Sequence, residues 1–86
     1  MWPAQHQSSI TAFGGDALFV SALQRSDGPS AAQIRQAIAA AIGALGYAGC
    51  AERVAQEFGD HPETAAARMR WARAVTDRAS RLAAAA

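Results

Sequence analysis

Large apolar side chains are scarce in this chain, and those present recur at helical spacing. Ile34, Ile38, Ile42 and Leu45 form one stripe. Ala65, Met69, Ala72, Val75 or Thr76, Ala79 and Leu82 form another. Apolar residues every three to four positions mark one buried face of a helix. Alanine supplies roughly a quarter of the chain, several times its usual share. It favours helix and contributes little buried area. The core is therefore expected to be thin, built around Ile34, Ile38, Ile42, Leu45, Val54, Phe58, Met69 and Val75. With 86 residues there is room for one small domain. The expected fold class is all-α, a small three- to four-helix domain.

Residues 1–29 are read as an N-terminal arm. Pro3, the Gln and Ser residues at 5–9, and Gly14-Gly15 keep its start irregular, while Trp2, Ile10 and Phe13 are apolar enough to dock. Asp16 is expected to cap a short helix through Gln24, with a strand through Leu18-Phe19-Val20 as the competing assignment. Ser26-Asp27-Gly28-Pro29 breaks the path. Ser30 and Gln33 fit a capping box that opens a helix, and Gly46 is its expected stop. The helical domain spans residues 30–82, and residues 83–86 form a frayed tail.

Between Cys50 and Val75 two helices meet. The first runs to Phe58, with Ala51, Val54, Ala55 and Phe58 facing inward. Gly59 is expected to turn the chain through a left-handed conformation. His61 caps the next helix, because the residue before a proline avoids helical geometry; Asp60 with Glu63 is the alternative box. Pro62 fits the first helical position, where its missing amide is no loss. Small Ala55 would sit where the helices cross. Ala65 and Met69 would be buried, leaving Glu63, Thr64, Ala66, Ala67 and Arg70 outward. This is the layout of a helix-turn-helix, whose second helix enters the DNA major groove.

The run His61-Pro62-Glu63-Thr64-Ala65-Ala66-Ala67-Arg68-Met69-Arg70 resembles the recognition helix of PucR-type and Fis-type transcriptional regulators, and Ala55-x-x-x-Gly59 resembles their first helix and turn. More loosely, the chain is similar to small actinobacterial helix-turn-helix proteins of the nucleoid or transcription. Two departures stand out. Asp60 occupies a position that is usually apolar in those families, and Ala66 and Ala67 replace side chains that are often basic or aromatic.

The resemblance implies a small DNA-binding protein, a transcriptional regulator or nucleoid-associated protein in a bacterial cytoplasm, with double-stranded DNA as partner. Its DNA-binding candidates are Arg53, His61, Glu63, Thr64, Ala66, Ala67, Arg70 and Arg73. Arg70 is the candidate for a guanine edge and Arg73 for a phosphate. Thr64 either meets a phosphate near the helix N-terminus or caps locally. Arg53 is the weaker phosphate candidate. Arg68 is expected to fold back onto Glu52 or Glu57, and Trp71 to anchor the core or a dimer.

Charge fits a local anionic surface and no more. The net charge is +1, and there is no lysine. From Thr64 onward Arg68, Arg70, Arg73, Arg78 and Arg81 face only Asp77. The lone Cys50 forms no internal disulfide. His6, Cys50 and His61 lack metal-ligand spacing. No nucleophile triad or phosphate loop is legible, so no enzyme activity, cofactor or small-molecule ligand is expected. No apolar run is expected to reach membrane-span length, and no signal peptide is read. The alternative function is a protein-interaction module or adaptor acting on the transcription machinery through its long last helix. A homodimer is compatible with both.

Overall fold

A computed structural model gives the structure of residues 14–85, with side chains described through Leu82. The docking expected of Trp2, Ile10 and Phe13 lies outside the described residues. The domain is all-α. Helix α1 covers residues 14–20. A single 3-10 turn, Arg25–Asp27, leads to α2, Ala31–Asp60, and then to α3, Pro62–Ala85.

The local signals explain these boundaries. Ser30 Oγ accepts from the Gln33 amide at 3.2 Å, and Gln33 Oε1 accepts from the Ser30 amide at 2.8 Å, which satisfies two free donors at the start of α2. A smaller reciprocal box joins Gln24 and Asp27 ahead of Gly28, whose φ is 55°. Gly46 interrupts α2 with φ 72° and ψ 170°, backbone that glycine adopts and other residues resist. Helical geometry resumes at once, so residues 31–45 and 47–60 are two arms joined at a kink. The Cys50 thiol donates across that kink to the Ala41 carbonyl at 3.7 Å.

The corner between α2 and α3 is tight. The His61 amide donates to the Glu57 carbonyl at 2.7 Å, and the His61 carbonyl accepts from the Ala65 amide at 2.8 Å. One residue thus closes one helix and opens the next, as the Pro62 argument predicts. Gly59 is not the turn. It is helical, its φ is not positive, and a methyl group there would meet nothing within 4 Å. Asp16 likewise lies inside α1 rather than capping it, and α1 ends at residue 20, before Gln24. Residues 18–20 are helix, not strand.

The core lies where α1 meets the two long helices. Ala17 and Leu18 are fully buried with Phe19 beside Ile34, Ile38, Ala41 and Cys50 of α2. From α3 come Ala65, Met69, Ala72, Val75 and Ala79, with Thr76 also buried. Close approach is built in at Gly14, where a methyl group would stand 2.7 Å from Thr76 Cγ2. The stripe expected on α3 is buried as far as Ala79, but Leu82 is 55% exposed. The α3 backbone continues as helix to Ala85, past the expected end at Leu82.

Two expected core residues sit at the rim. Leu45 is 36% exposed, because the kink at Gly46 ends its stripe there. Phe58 is 37% exposed and stacks on Phe19 with ring centroids 6.2 Å apart. Ala51 and Ala55 are exposed as well. After the kink the inward line of α2 passes through Cys50 and Val54, one step around the helix from Ala51 and Ala55. Helix α2 is also long and apolar enough, by length and composition alone, to cross a membrane, contrary to expectation. Its buried residues, Ile34, Ile38, Ala41 and Cys50, face the core.

Candidate macromolecular interface

Arg68 decides which arginines of α3 are available to a partner. Its side chain leaves α3 and reaches the end of α1. Nε donates to the Phe19 carbonyl at 2.7 Å. Nη2 fans toward the carbonyls of Leu23 at 2.9 Å, Ser21 at 3.1 Å and Leu18 at 3.4 Å. The last carbonyls of a helix have no intrahelical donor, and a cation there also meets the negative end of the helix dipole. The planar guanidinium lies 5.8 Å from the Phe19 ring centroid and 5.2 Å from that of Trp71, so it is held between two aromatic faces. Partial burial lowers its pKa through desolvation. Arg68 is structural, as expected, but its partners are carbonyls rather than Glu52 or Glu57.

Trp71 packs against the core while its ring covers Arg68, so the core role expected of it holds. Cys50 is buried, and its thiol pKa is pushed up by desolvation and then by the nearby Asp16 carboxylate. Among the described residues no group of His, Cys, Asp and Glu is placed to hold a metal ion.

Arg53 and Thr64 meet at a cavity of about 210 Å³, together with Glu57 and Arg68. Arg53, His61, Glu63, Thr64, Ala67, Arg70 and Arg73 are all exposed, and Ala66 is half-buried. The backbone of His61 is engaged at the corner, while the residue itself is exposed. The stem of Arg73 runs along α1, since a methyl group on Gly15 would lie 3.2 Å from its Cγ. Glu57, Asp60 and Glu63 are exposed around that corner, so the N-terminal end of α3 carries negative charge. The exposed cations of α3 begin about two turns further on, at Arg70, and continue through Arg73, Arg78 and Arg81.

The sequence marks the long last helix as a candidate interaction element but not the face it would use. Glu63, Ala67, Arg70, Ala74, Asp77 and Arg81 are exposed at alternating spacings of four and three. That spacing keeps six residues on one seam of a helix for about 27 Å. The seam faces away from Ala65, Met69, Ala72 and Thr76, so α3 carries two lengthwise faces, one in the core and one open. The signal was present in the spacing, but it becomes informative only once the opposite face is known to be buried.

The arrangement defines a small all-α domain with one long helix open along one side. The chain matches no protein-family model, no curated protein and no solved structure.

Proposed function

We propose that this chain is a helical protein-interaction module that works through the open side of α3. The observation that carries this reading is the exposed seam from Glu63 to Arg81, which mixes small residues with charges of both signs. Alanines let another backbone approach closely, and alternating charges select register and orientation. Glu63 and Asp77 balance Arg70 and Arg81, so the seam has no net charge. A neutral mixed seam suits a protein helix better than a polyanion.

The test is site-specific photocrosslinking in the cells that make the protein. A benzophenone side chain at Ala67 or Ala74 is expected to capture a defined polypeptide. The same probe at Gln36, exposed on α2, is the control. Absence of any protein adduct from both seam positions would remove this reading.

Exposed Arg70, Arg73, Arg78 and Arg81 support a second reading, DNA binding. Arginines along a helix can neutralise phosphates, with affinity falling steeply as salt rises. The acids at the α2–α3 corner oppose insertion of the α3 N-terminus into the groove. Any contact would therefore run along the second half of the helix and rely on phosphates and DNA shape more than on bases. Duplex binding at low salt that weakens when Arg70 and Arg73 are both changed to Ala would support it. No binding at low salt would end it.

A further inference from the structure

We propose that the partner of the α3 seam is a second copy of this chain, paired antiparallel about a two-fold axis near the middle of α3. This rests on α3 being an interaction face, and it adds the identity of the occupant. The argument is charge complementarity within a single sequence. In an antiparallel pair, Glu63 of one copy lies opposite Arg81 of the other, Ala67 opposite Asp77, and Arg70 opposite Ala74. Symmetry repeats each match, as an isologous interface requires. Every seam position thus finds a match without a break in the alternation of four and three.

The chemistry of those matches is consistent. The two ends of the seam join opposite charges, and each alanine receives a longer side chain. Arg70 stands one layer from Asp77 of the other copy and, across the axis, one layer from its Arg70. Each inner arginine thus has one opposite and one like neighbour, and the outer Glu63–Arg81 matches carry the complementarity. A parallel pair in the same register sets Glu63 on Glu63, Arg70 on Arg70, Asp77 on Asp77 and Arg81 on Arg81, which like-charge repulsion opposes. All six residues are exposed, so pairing requires no unpacking of the core. Arg73 flanks the seam near the axis, where two copies bring like charges together.

Sedimentation velocity from about 10 μM to about 1 mM covers the range expected of a small, charge-guided contact. A monomer–dimer equilibrium that weakens with salt is expected. Glu63→Arg and Arg81→Glu should each raise the dissociation constant by about tenfold, the scale of a lost ion pair plus a new repulsion. Glu63→Arg combined with Arg81→Glu should restore dimerisation, because the swapped charges meet again across the axis. Arg73→Ala should leave the dimer unchanged or tighten it, whereas a DNA-binding surface would lose affinity. Circular dichroism should show the same helix content in all variants.

A monomer throughout the range would overturn the proposal. So would a dimer indifferent to the single reversals, or one that the double reversal fails to rescue. If the chain is monomeric while Ala67 and Ala74 probes capture a different polypeptide, the homotypic partner falls and the interaction reading stands. If the chain is monomeric and those probes also capture nothing, both fall.

Discussion

Arg68 Nε donates to the carbonyl of Phe19 at 2.7 Å, across 49 positions of sequence. That bond ties the end of α1 to the outer edge of α3 and places the guanidinium between Phe19 and Trp71. It supplies donors to helix-end carbonyls that would otherwise need water, and it withdraws one arginine from the exposed set.

Loss of this clasp should be felt in stability. Arg68→Ala is expected to cost about 2–3 kcal/mol, since it removes charge-assisted hydrogen bonds and leaves partly buried carbonyls unpaired. Arg68→Lys should recover less than half, because a single ammonium cannot reproduce the planar fork or its aromatic stacking. Urea denaturation of the three proteins measures both differences. A cost within error of zero for Arg68→Ala would show that the clasp contributes nothing.

Two glycine positions in α2 should respond with opposite signs. Gly46→Ala is expected to destabilise by about 1–3 kcal/mol, through backbone strain at φ 72° rather than any clash, as nothing lies within 4 Å. Gly59→Ala should stabilise by about 0.5–1 kcal/mol, because position 59 is ordinary helix. A left-handed turn at residue 59 would reverse that second sign. Thermal melts of the pair therefore report directly on where the chain turns.

The contact between α1 and α3 gives a third expectation. Gly14→Ala places a methyl group 2.7 Å from Thr76 Cγ2 and should cost about 1–3 kcal/mol by overpacking. Thr76→Ser removes the opposing methyl, so Gly14→Ala should cost less in that background. Thr76 Oγ1 is buried with no hydrogen-bond partner among the described residues. Thr76→Val should accordingly be neutral or stabilising by up to about 1 kcal/mol, which a denaturation curve would show.

Cys50 predicts an alkaline limb in the stability profile. Its folded pKa lies above the unfolded value of 9.0, chiefly through desolvation. The native state keeps the proton after the unfolded chain has released it, so stability is full below that value and falls as pH rises past it. Cys50→Ala should flatten this limb, at some cost in packing at neutral pH. An unchanged slope between the two proteins above pH 9.0 would assign the loss to other groups.

The helices were legible because their signals are local. The Ser30–Gln33 box, the stop at Gly46, the capping role of His61 and the Ala65–Ala79 stripe each follow from neighbours within about a turn of helix. Phe58, Ala55 and Gly59 were misplaced together. The first two depend on how the arm after Gly46 is rotated relative to α3, which no residue within a turn of them encodes, and Gly59 stays helical because α2 runs on to Asp60. The exposed row from Glu63 to Arg81 was present in the spacing, yet its meaning required knowing which side of α3 the core had taken.

The sequence by itself determined an alanine-rich, all-helical chain, its two long apolar stripes and the start of α3 at Pro62 behind the His61 cap, because periodicity and capping act over a few residues. The tertiary structure decided that Arg68 closes α1, that Phe58 and Leu45 stay at the rim, and that one side of α3 remains open. Those outcomes depend on carbonyls, rings and helix faces that are far apart along the chain and become neighbours only when the core has formed.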